Sequence, residues 1–152
     1  MIKHIKCDIF ESGADVICHQ VNCQGVMGSG IAKQVREKYP WVYGEYKDFC
    51  YFYQPSELLG FCLITYIDET HMIANLFGQE KFGYDGKCYT NYDGLRNALK
   101  QLNKGHPDKT IAIPYLMGCH RGGGDWNIVY KMIEEVFGNS RGEVLICEYN
   151  GG

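Results

Sequence analysis

Three glycines, Gly25, Gly28 and Gly30, separate a strand-like apolar run at residues 15–21 from a segment with helical spacing. The first N–H groups of a helix have no partner within the helix, and the peptide dipoles leave partial positive charge at that end. Glycines at such a junction let a phosphate approach the backbone without meeting a Cβ atom. The stretch therefore predicts a phosphate-binding turn, although its G-x-x-G-x-G spacing fits an ordinary strand-to-helix turn equally well.

A second glycine-rich segment, residues 118–124, follows a short apolar strand predicted at 110–114 and precedes a helix predicted at 126–137. Asp125 is a good N-cap for that helix, because its carboxylate can accept from free N–H groups two or three residues on. In a largely parallel sheet, both glycine-rich loops are expected at the C-terminal edge of the strands, where α/β proteins bind ligands. Two such loops on one edge suit a ligand that contains a diphosphate.

Strand-like and helix-like segments alternate along the whole chain. Six strands are expected, at residues 1–10, 15–21, 60–67, 71–76, 110–114 and 143–149, with the third and fourth joined as a hairpin. Helices are expected at residues 29–38, 91–103 and 126–137, and a helical or irregular segment at 42–53. Residues 77–88 are expected to form a mobile loop. This order predicts an α/β fold, a three-layer α/β/α sandwich around a mixed, largely parallel central sheet.

Size and composition narrow the class of protein. The chain has 152 residues, a net charge of -3 and 45% apolar residues, which predicts a single domain over residues 1–152. No broad basic surface is available for general nucleic-acid binding, and no segment approaches a membrane span. The start of the chain lacks the apolar core of a signal peptide. We expect a monomer.

The chain contains eight cysteines, spread one to an element, with neither a C-x-x-C motif nor zinc-finger spacing. They are expected to be reduced, partly buried thiols in a cytoplasmic protein. The sequence gives no sign of a metal site, and no cofactor is expected.

With both loops in view, the sequence resembles the macrodomain family, whose members bind ADP-ribose and its derivatives. The matching pieces follow the family's order over nearly the whole chain and lie at residues 7–10, 21–32, 73–79 and 113–126. The V-N-C-x-G-V-M-G-x-G-I-A piece is specific. It is most similar to the branch of ADP-ribose-1''-phosphate processing proteins, which is related to the ADP-ribosyl-glutamate hydrolases. The resemblance implies a macrodomain-like fold.

Carried over position by position, the resemblance implies a set of ligand-binding residues. Asp8 would accept from the adenine amino group, Ile9 would donate its N–H to a ring nitrogen, and Asn22 would contact the distal ribose. Without the resemblance, Asp8 is a turn residue at the end of a strand. The other implied residues form the two loops, Gly25, Val26, Met27, Gly28, Ser29, Gly30 and Ile31 in the first and Met117, Gly118, Cys119, His120, Arg121, Gly122, Gly123 and Gly124 in the second.

The same branch implies His19, in the second strand, and Asp125 as catalytic residues. Attack of water on a terminal phosphate needs a base, an acid for the leaving oxygen, and donors for the equatorial oxygens. His19 would be the acid, Asp125 the base, and backbone N–H groups with Arg121 the donors. Each of the first two also has a structural interpretation, His19 as a satisfied strand histidine and Asp125 as an N-cap.

The sequence departs from the family pattern at several places. Ala32 replaces the aspartate of one hydrolase group, while Leu76-Phe77 and Gly122 stand around the lysine and aspartate positions of the glutamate-specific hydrolases. His120 and Arg121 occupy positions that tend to be glycine and an apolar residue in relatives, and a cation there would strengthen anion binding.

Two cysteines and three tyrosines fall in or near the implied site. Cys23 and Cys119 are expected to pack against the ligand rather than to react. Tyr84, Tyr89 and Tyr92 lie on or beside the expected mobile loop, where one of them could cover a ligand.

Two classes of function follow. One is a hydrolase of an ADP-ribose derivative, with ADP-ribose-1''-phosphate as the first candidate and an ADP-ribosyl adduct on protein or nucleic acid as the second. The other is a module that binds ADP-ribose without turnover. The expected partner is ADP-ribose or a derivative, free or attached to a macromolecule.

Overall fold

One six-stranded sheet organises the computed structural model, which describes residues 1–83 and 85–149. Its strands are β1 (Ile2–Lys6), β2 (Val16–Asn22), β3 (Cys62–Tyr66), β4 (Met72–Gln79), β5 (Ile111–Pro114) and β6 (Val144–Glu148). They lie in the order β1-β6-β5-β2-β4-β3, with only β3 antiparallel to its neighbour. The prediction of a mixed, largely parallel sheet with a hairpin between the third and fourth strands is confirmed.

The helices cover the two faces of this sheet. They are α1 (Gly30–Lys38), α2 (Pro40–Phe52), α3 (Pro55–Leu58), α4 (Tyr92–Gly105) and α5 (Trp126–Phe137). The core has two parts, because β-strand side chains alternate between the faces. One part packs side chains of α1, α2 and α3 against the sheet, and the other packs those of α4 and α5. The three-layer α/β/α sandwich is therefore confirmed.

The predicted first strand was too long. β1 ends at Lys6, and Ile9–Glu11 form a short 3-10 helix. Asp8 is the N-cap of this helix, because its side chain accepts from the Phe10 N–H at 3.0 Å. Pro40 also does more than end the first helix, since α2 begins at Pro40 itself, where its missing N–H is not needed.

The expected loop at residues 77–88 begins too early. β4 continues to Gln79 and is buried along its whole length. Gly78 suggested a turn, but a Cβ there would lie 2.9 Å from the Gln20 amide carbon and 3.1 Å from Leu95 Cδ1. This glycine therefore serves close packing within a strand.

All eight cysteines are free thiols in the structure. Over the described residues, the helices lack the combination of length and apolarity that is needed to cross a bilayer.

Candidate functional site

A cavity of about 460 Å³ opens between the two glycine-rich loops. Its lining comes from the ends of β2, β4 and β5 and from the residues that follow them: His19, Gln20, Val21, Asn22, Val26, Gly28, Ser29, Gly30, Ile31, Ala32, Gln79, Phe82, Gly83, Pro114, Tyr115, Leu116, Met117, Gly118, His120, Arg121 and Gly122. No Asp or Glu is among these described lining residues, whereas Arg121 is. The cavity can therefore take an anion without meeting a negative side chain.

Asn22, at the end of β2, holds the first loop in shape. Its Oδ1 accepts from the backbone N–H of Gln24 at 2.9 Å, and its Nδ2 donates to the carbonyl of Val26 at 2.8 Å. The side chain is thus engaged with its own loop. The residue also lines the cavity, although it is only 8% exposed.

Tyr46 supports this arrangement from α2, and the sequence analysis missed it. The ring is fully buried, and its hydroxyl lies 2.7 Å from the carbonyl oxygen of Asn22 and 2.9 Å from Asn22 Oδ1. Burial raises the pKa of this tyrosine well above its ordinary value, so the hydroxyl is a donor at neutral pH. Only a tertiary contact identifies it, because one more tyrosine in an aromatic-rich helix carries no local signal.

The N-terminus of α1 opens into the cavity. Gly25 and Gly30 have positive φ of 78° and 60°, which turns the chain into the helix. Ser29, the N-cap, makes no side-chain capping bond to any described residue, and the first turn contains no acid. Because Gly30, Ile31 and Ala32 line the cavity, the partly positive end of the helix faces it. This is a site suited to phosphate.

The second loop is held by the segment before α4. The carbonyl of Gly118 accepts from the Gly124 N–H at 2.9 Å and from the Thr90 hydroxyl at 2.6 Å. The carbonyl of Gly122 accepts from the backbone N–H groups of Tyr89 and Thr90, at 2.7 and 3.0 Å. These bonds fix the loop in a tight curve beside the cavity.

Two glutamines connect the floor of the cavity with this second loop. Gln20 Nε2 donates to Gln79 Oε1 at 2.7 Å and to Thr90 Oγ1 at 2.9 Å. Gln79 Nε2 in turn donates to the carbonyl of Lys81 at 2.8 Å. The sequence analysis missed all three side chains of this network, because they come from β2, β4 and a loop that are far apart in the chain.

His19 is a buried residue of the cavity lining. It is only 2% exposed, and its Nε2 is 2.7 Å from Asn75 Oδ1. Burial lowers the pKa of His19 to about 4, against a smaller opposing effect of the Asn75 hydrogen bond. The ring is neutral at neutral pH, so it is poorly suited to the predicted role of general acid.

Asp125 lies outside the cavity lining. Its side chain accepts from the Asn127 N–H at 2.8 Å and caps α5, while its own N–H donates to the Tyr92 hydroxyl at 2.9 Å. The structure therefore places the two predicted catalytic residues differently, with His19 in the lining and Asp125 exposed at a helix end.

The remaining predicted ligand-binding residues divide in the same way. Those that line the cavity are Asn22, Val26, Gly28, Ser29, Gly30, Ile31, Met117, Gly118, His120, Arg121 and Gly122. Those outside the lining are Asp8, Ile9, Gly25, Met27, Cys119, Gly123 and Gly124. The 3-10 helix that begins at Ile9 packs against β5, so Asp8 and Ile9 lie at the same sheet edge as the cavity.

Neither cysteine of the predicted site is a thiolate at neutral pH. Burial raises the pKa of Cys23 to about 12 and that of Cys119 to about 11, with smaller contributions from nearby acidic groups. Tyr89 donates its hydroxyl to Asp85 at 2.8 Å. Tyr84 lies outside the described residues. Over residues 1–83 and 85–149, no group of three or more His, Cys, Asp or Glu side chains is arranged to hold a metal ion.

Comparison with known proteins places this geometry in context. No protein-family model matches the chain. An ADP-ribose 1''-phosphate phosphatase from Debaryomyces hansenii is 39% identical over 72 residues, which cover 42% of this chain and 40% of that protein. A DNA ADP-ribosyl glycohydrolase from Mycobacterium bovis is 26% identical over 138 residues, which cover 90% of this chain and 39% of that protein. The chain thus spans about two fifths of the length of these curated relatives.

Solved structures share the fold over nearly the whole chain. The macrodomain of Mycobacterium tuberculosis DarG superimposes with a TM-score of 0.79 at 22% identity, over 100% of this chain and 99% of that one. Thermosipho africanus DarTG in complex with ADP-ribose superimposes with a TM-score of 0.77 at 21% identity, over 96% of this chain and 41% of that one. These likenesses show that the chain has the fold of the macrodomains.

Proposed function

We propose that the cavity binds ADP-ribose. The observation that carries this proposal is the open N-terminus of α1, which faces the second glycine-rich loop across the cavity. The described residues that line this cavity include no Asp or Glu. Unpaired N–H groups and the helix dipole together favour a diphosphate there. A macrodomain neighbour of the same fold, Thermosipho africanus DarTG, is known in complex with ADP-ribose, which supports the choice of ligand.

The proposed ligand extends from the cavity toward the end of β1. The diphosphate would accept from N–H groups of the turn at Gly28–Ile31, and the distal ribose would lie against residues 118–122. The adenine would lie near Asp8 and Ile9, since the 3-10 helix at Ile9 packs against β5, whose following residues line the cavity. A carboxylate at that end accepts from the adenine amino group and disfavours the carbonyl of guanine.

We further propose that the protein hydrolyses an ADP-ribose derivative, with ADP-ribose-1''-phosphate as the first candidate substrate. The Debaryomyces hansenii phosphatase supports this substrate. Water oxygen would bond to phosphorus as the bond from phosphorus to the ribose oxygen breaks, giving ADP-ribose and inorganic phosphate. Arg121 and the N–H groups of the loops would stabilise the equatorial oxygens in the transition state.

Two variants separate a catalytic role of Asp125 from its role as an N-cap. Serine at this position still caps α5 but cannot take a proton as a carboxylate does. If Asp125 is the base, Asp125→Ser and Asp125→Ala both abolish release of inorganic phosphate from ADP-ribose-1''-phosphate. Activity that survives in Asp125→Ser but falls in Asp125→Ala assigns the residue to capping alone.

One observation favours a second reaction. The alignment with the Mycobacterium bovis DNA ADP-ribosyl glycohydrolase covers 90% of this chain, more than twice the 42% covered by the phosphatase alignment. The alternative substrate is therefore an ADP-ribosyl adduct on DNA, from which the protein would release ADP-ribose. A binding module without turnover is the third outcome, and the lack of a carboxylate in the described lining favours it.

The test combines calorimetry with two activity assays on the same preparation. Binding of ADP-ribose together with phosphate release supports the phosphatase. Binding with release of ADP-ribose from modified DNA supports the glycohydrolase, and binding with neither supports a module. Absence of ADP-ribose binding overturns the proposal as a whole.

A further inference from the structure

A chain of buried polar groups runs from the cavity into the α1–α2 side of the core. His19 lies on β2 and pairs directly with Asn75 on β4, and both side chains are almost completely buried. Asn75 also contacts Thr65 and the backbone of Leu63, on the antiparallel edge strand β3. Buried polar groups are expensive to leave unpaired, so the pattern of donors and acceptors in this chain is strongly constrained.

The constraint fixes which way the Asn75 amide points. Asn75 Nδ2 lies 3.0 Å from the carbonyl oxygen of Leu63, and a carbonyl can only accept. A flipped amide would bring two acceptors together at that point. The Oδ1 atom of Asn75 therefore faces His19, 2.7 Å from Nε2.

The orientation of the amide fixes the tautomer of the histidine. Because Asn75 Oδ1 accepts, His19 Nε2 must carry the hydrogen and donate it. In a neutral ring the other nitrogen, Nδ1, is then an acceptor with a free lone pair. Nδ1 is buried and has no hydrogen-bond partner among the described residues, and His19 is one of the residues that line the cavity.

We propose that Asn75 is a positioning residue that holds His19 in the Nε2–H tautomer, so that His19 Nδ1 accepts a hydrogen bond from a hydroxyl of the bound ADP-ribose. The inference rests on the proposed function for the identity of the ligand. In this proposal His19 contacts the ligand through Nδ1. His19 is then a hydrogen-bond acceptor for the ligand instead of the proton donor that the sequence analysis predicted.

The chemistry of the acceptor selects the part of the ligand that it contacts. A diphosphate oxygen carries lone pairs and no hydrogen at neutral pH, so it would repel Nδ1. A ribose hydroxyl has a hydrogen to donate and satisfies the lone pair. The diphosphate belongs instead at the donors of α1, where the N–H groups are open.

Nitrogen-15 NMR of histidine side chains in the wild-type protein tests both steps. In the free protein, we expect the correlation pattern of an Nε2–H tautomer for His19, and the opposite tautomer would overturn the inference. On addition of ADP-ribose we expect the Nδ1 resonance to move upfield as it becomes a hydrogen-bond acceptor. Calorimetry on the same sample keeps the two proposals apart. Binding with an unchanged Nδ1 overturns this inference alone, and absence of binding overturns the proposed function together with the ligand contact.

Two substitutions in the same buried chain give a matched comparison. Asn75→Leu removes the acceptor for Nε2–H and is expected to weaken ADP-ribose binding roughly tenfold. Thr65→Val removes only the more distant partner of Asn75, at 3.3 Å, while the Leu63 carbonyl still orients the amide. Its affinity should stay within about twofold of wild type. Equal losses in the two variants would contradict a role of Asn75 in positioning the ring. Should Asn75→Leu fail to fold, the wild-type NMR experiment still decides the question.

Discussion

The two helices that follow the glycine-rich loops begin in opposite ways. At α1 the N-cap residue Ser29 makes no side-chain capping bond to the described residues, and the first-turn backbone faces the cavity. At α5 the N-cap residue Asp125 accepts from the Asn127 N–H at 2.8 Å, so its own carboxylate occupies the positive end of the helix. One helix end is open to an anion from outside, and the other is already satisfied.

Under the proposed function, two loops of similar composition would therefore make different contacts with the ligand. The first loop leads to an open helix end and is held from within by Asn22 and Tyr46. The second loop is held by hydrogen bonds from Thr90, and its residue Arg121 lines the cavity. Glycine content therefore identifies both loops in the sequence. It does not predict which loop leads to a helix whose N-terminus is open to the ligand.

Making the first helix resemble the second should have the largest effect. Ser29→Asp places a carboxylate at the open end of α1, where it caps the helix and repels the diphosphate. ADP-ribose affinity should fall roughly 100-fold, while the free energy of unfolding rises by up to about 1 kcal/mol. Calorimetry and urea unfolding measure the two effects, and Ser29→Asn is the neutral control that caps without charge. Unchanged affinity in Ser29→Asp would show that the diphosphate lies elsewhere.

Buried His19 should make the stability of the protein depend on pH. The pKa of His19 is lowered from 6.5 to about 4 in the folded protein, so the unfolded chain binds more protons between these values. The stabilising effect of the neutral ring is complete above pH 6.5 and is lost as the pH falls toward 4, with about 2 kcal/mol lost by pH 5. Urea unfolding at several pH values should show a weaker pH dependence in His19→Gln than in wild type. His120→Gln, the same substitution at an exposed position, is the control with which the His19→Gln curve is compared.

The second loop should tolerate no side chain at Gly122. A Cβ at Gly122 would lie 2.6 Å from the carbonyl oxygen of Gly118, a backbone atom that the Thr90 hydroxyl holds in place. Gly122→Ala should therefore distort the loop and weaken ADP-ribose binding roughly tenfold by calorimetry. Gly105→Ala is the matched control, since its Cβ meets no atom within 4 Å.

The smallest expected effects come from the two supporting hydroxyls. Tyr46→Phe removes the donor to Asn22 in the first loop, and Thr90→Val removes the donor to Gly118 in the second. Each should lower the free energy of unfolding by about 1 kcal/mol, measured by urea denaturation, because each leaves a carbonyl without one of its donors. The affinity for ADP-ribose should fall only a few fold. A loss as large as that of Ser29→Asp would mean that these two hydroxyls matter for binding as much as the open N-terminus of α1.

Local patterns in the sequence predicted much of the fold. The helix predicted at 126–137 has those bounds in the structure, and Asp125 caps it as its chemistry indicated. The end of β4 was predicted wrongly, because Gly78 indicates a turn in the sequence and close packing in the structure. The strand order, which places β1 beside β6, follows from tertiary packing that no local pattern encodes.

The sequence suggested candidate site residues from loop composition, and it did not suggest those whose contacts come from distant parts of the chain. Gln20, Gln79 and Thr90 come into contact only when the sheet has formed. The proposed role of Asn75 depends on its hydrogen bond with His19 on the neighbouring strand. Burial also changes what a side chain can do, as the lowered pKa of His19 shows. Neither effect can be obtained from residue type and spacing.

Calorimetric titration of the wild-type protein and Ser29→Asp with ADP-ribose tests most directly whether the open end of α1 is the diphosphate site. We predict micromolar binding to the wild type and roughly 100-fold weaker binding to the variant, with both proteins folded. Equal affinity in the two proteins, or no binding to the wild type, would contradict this assignment.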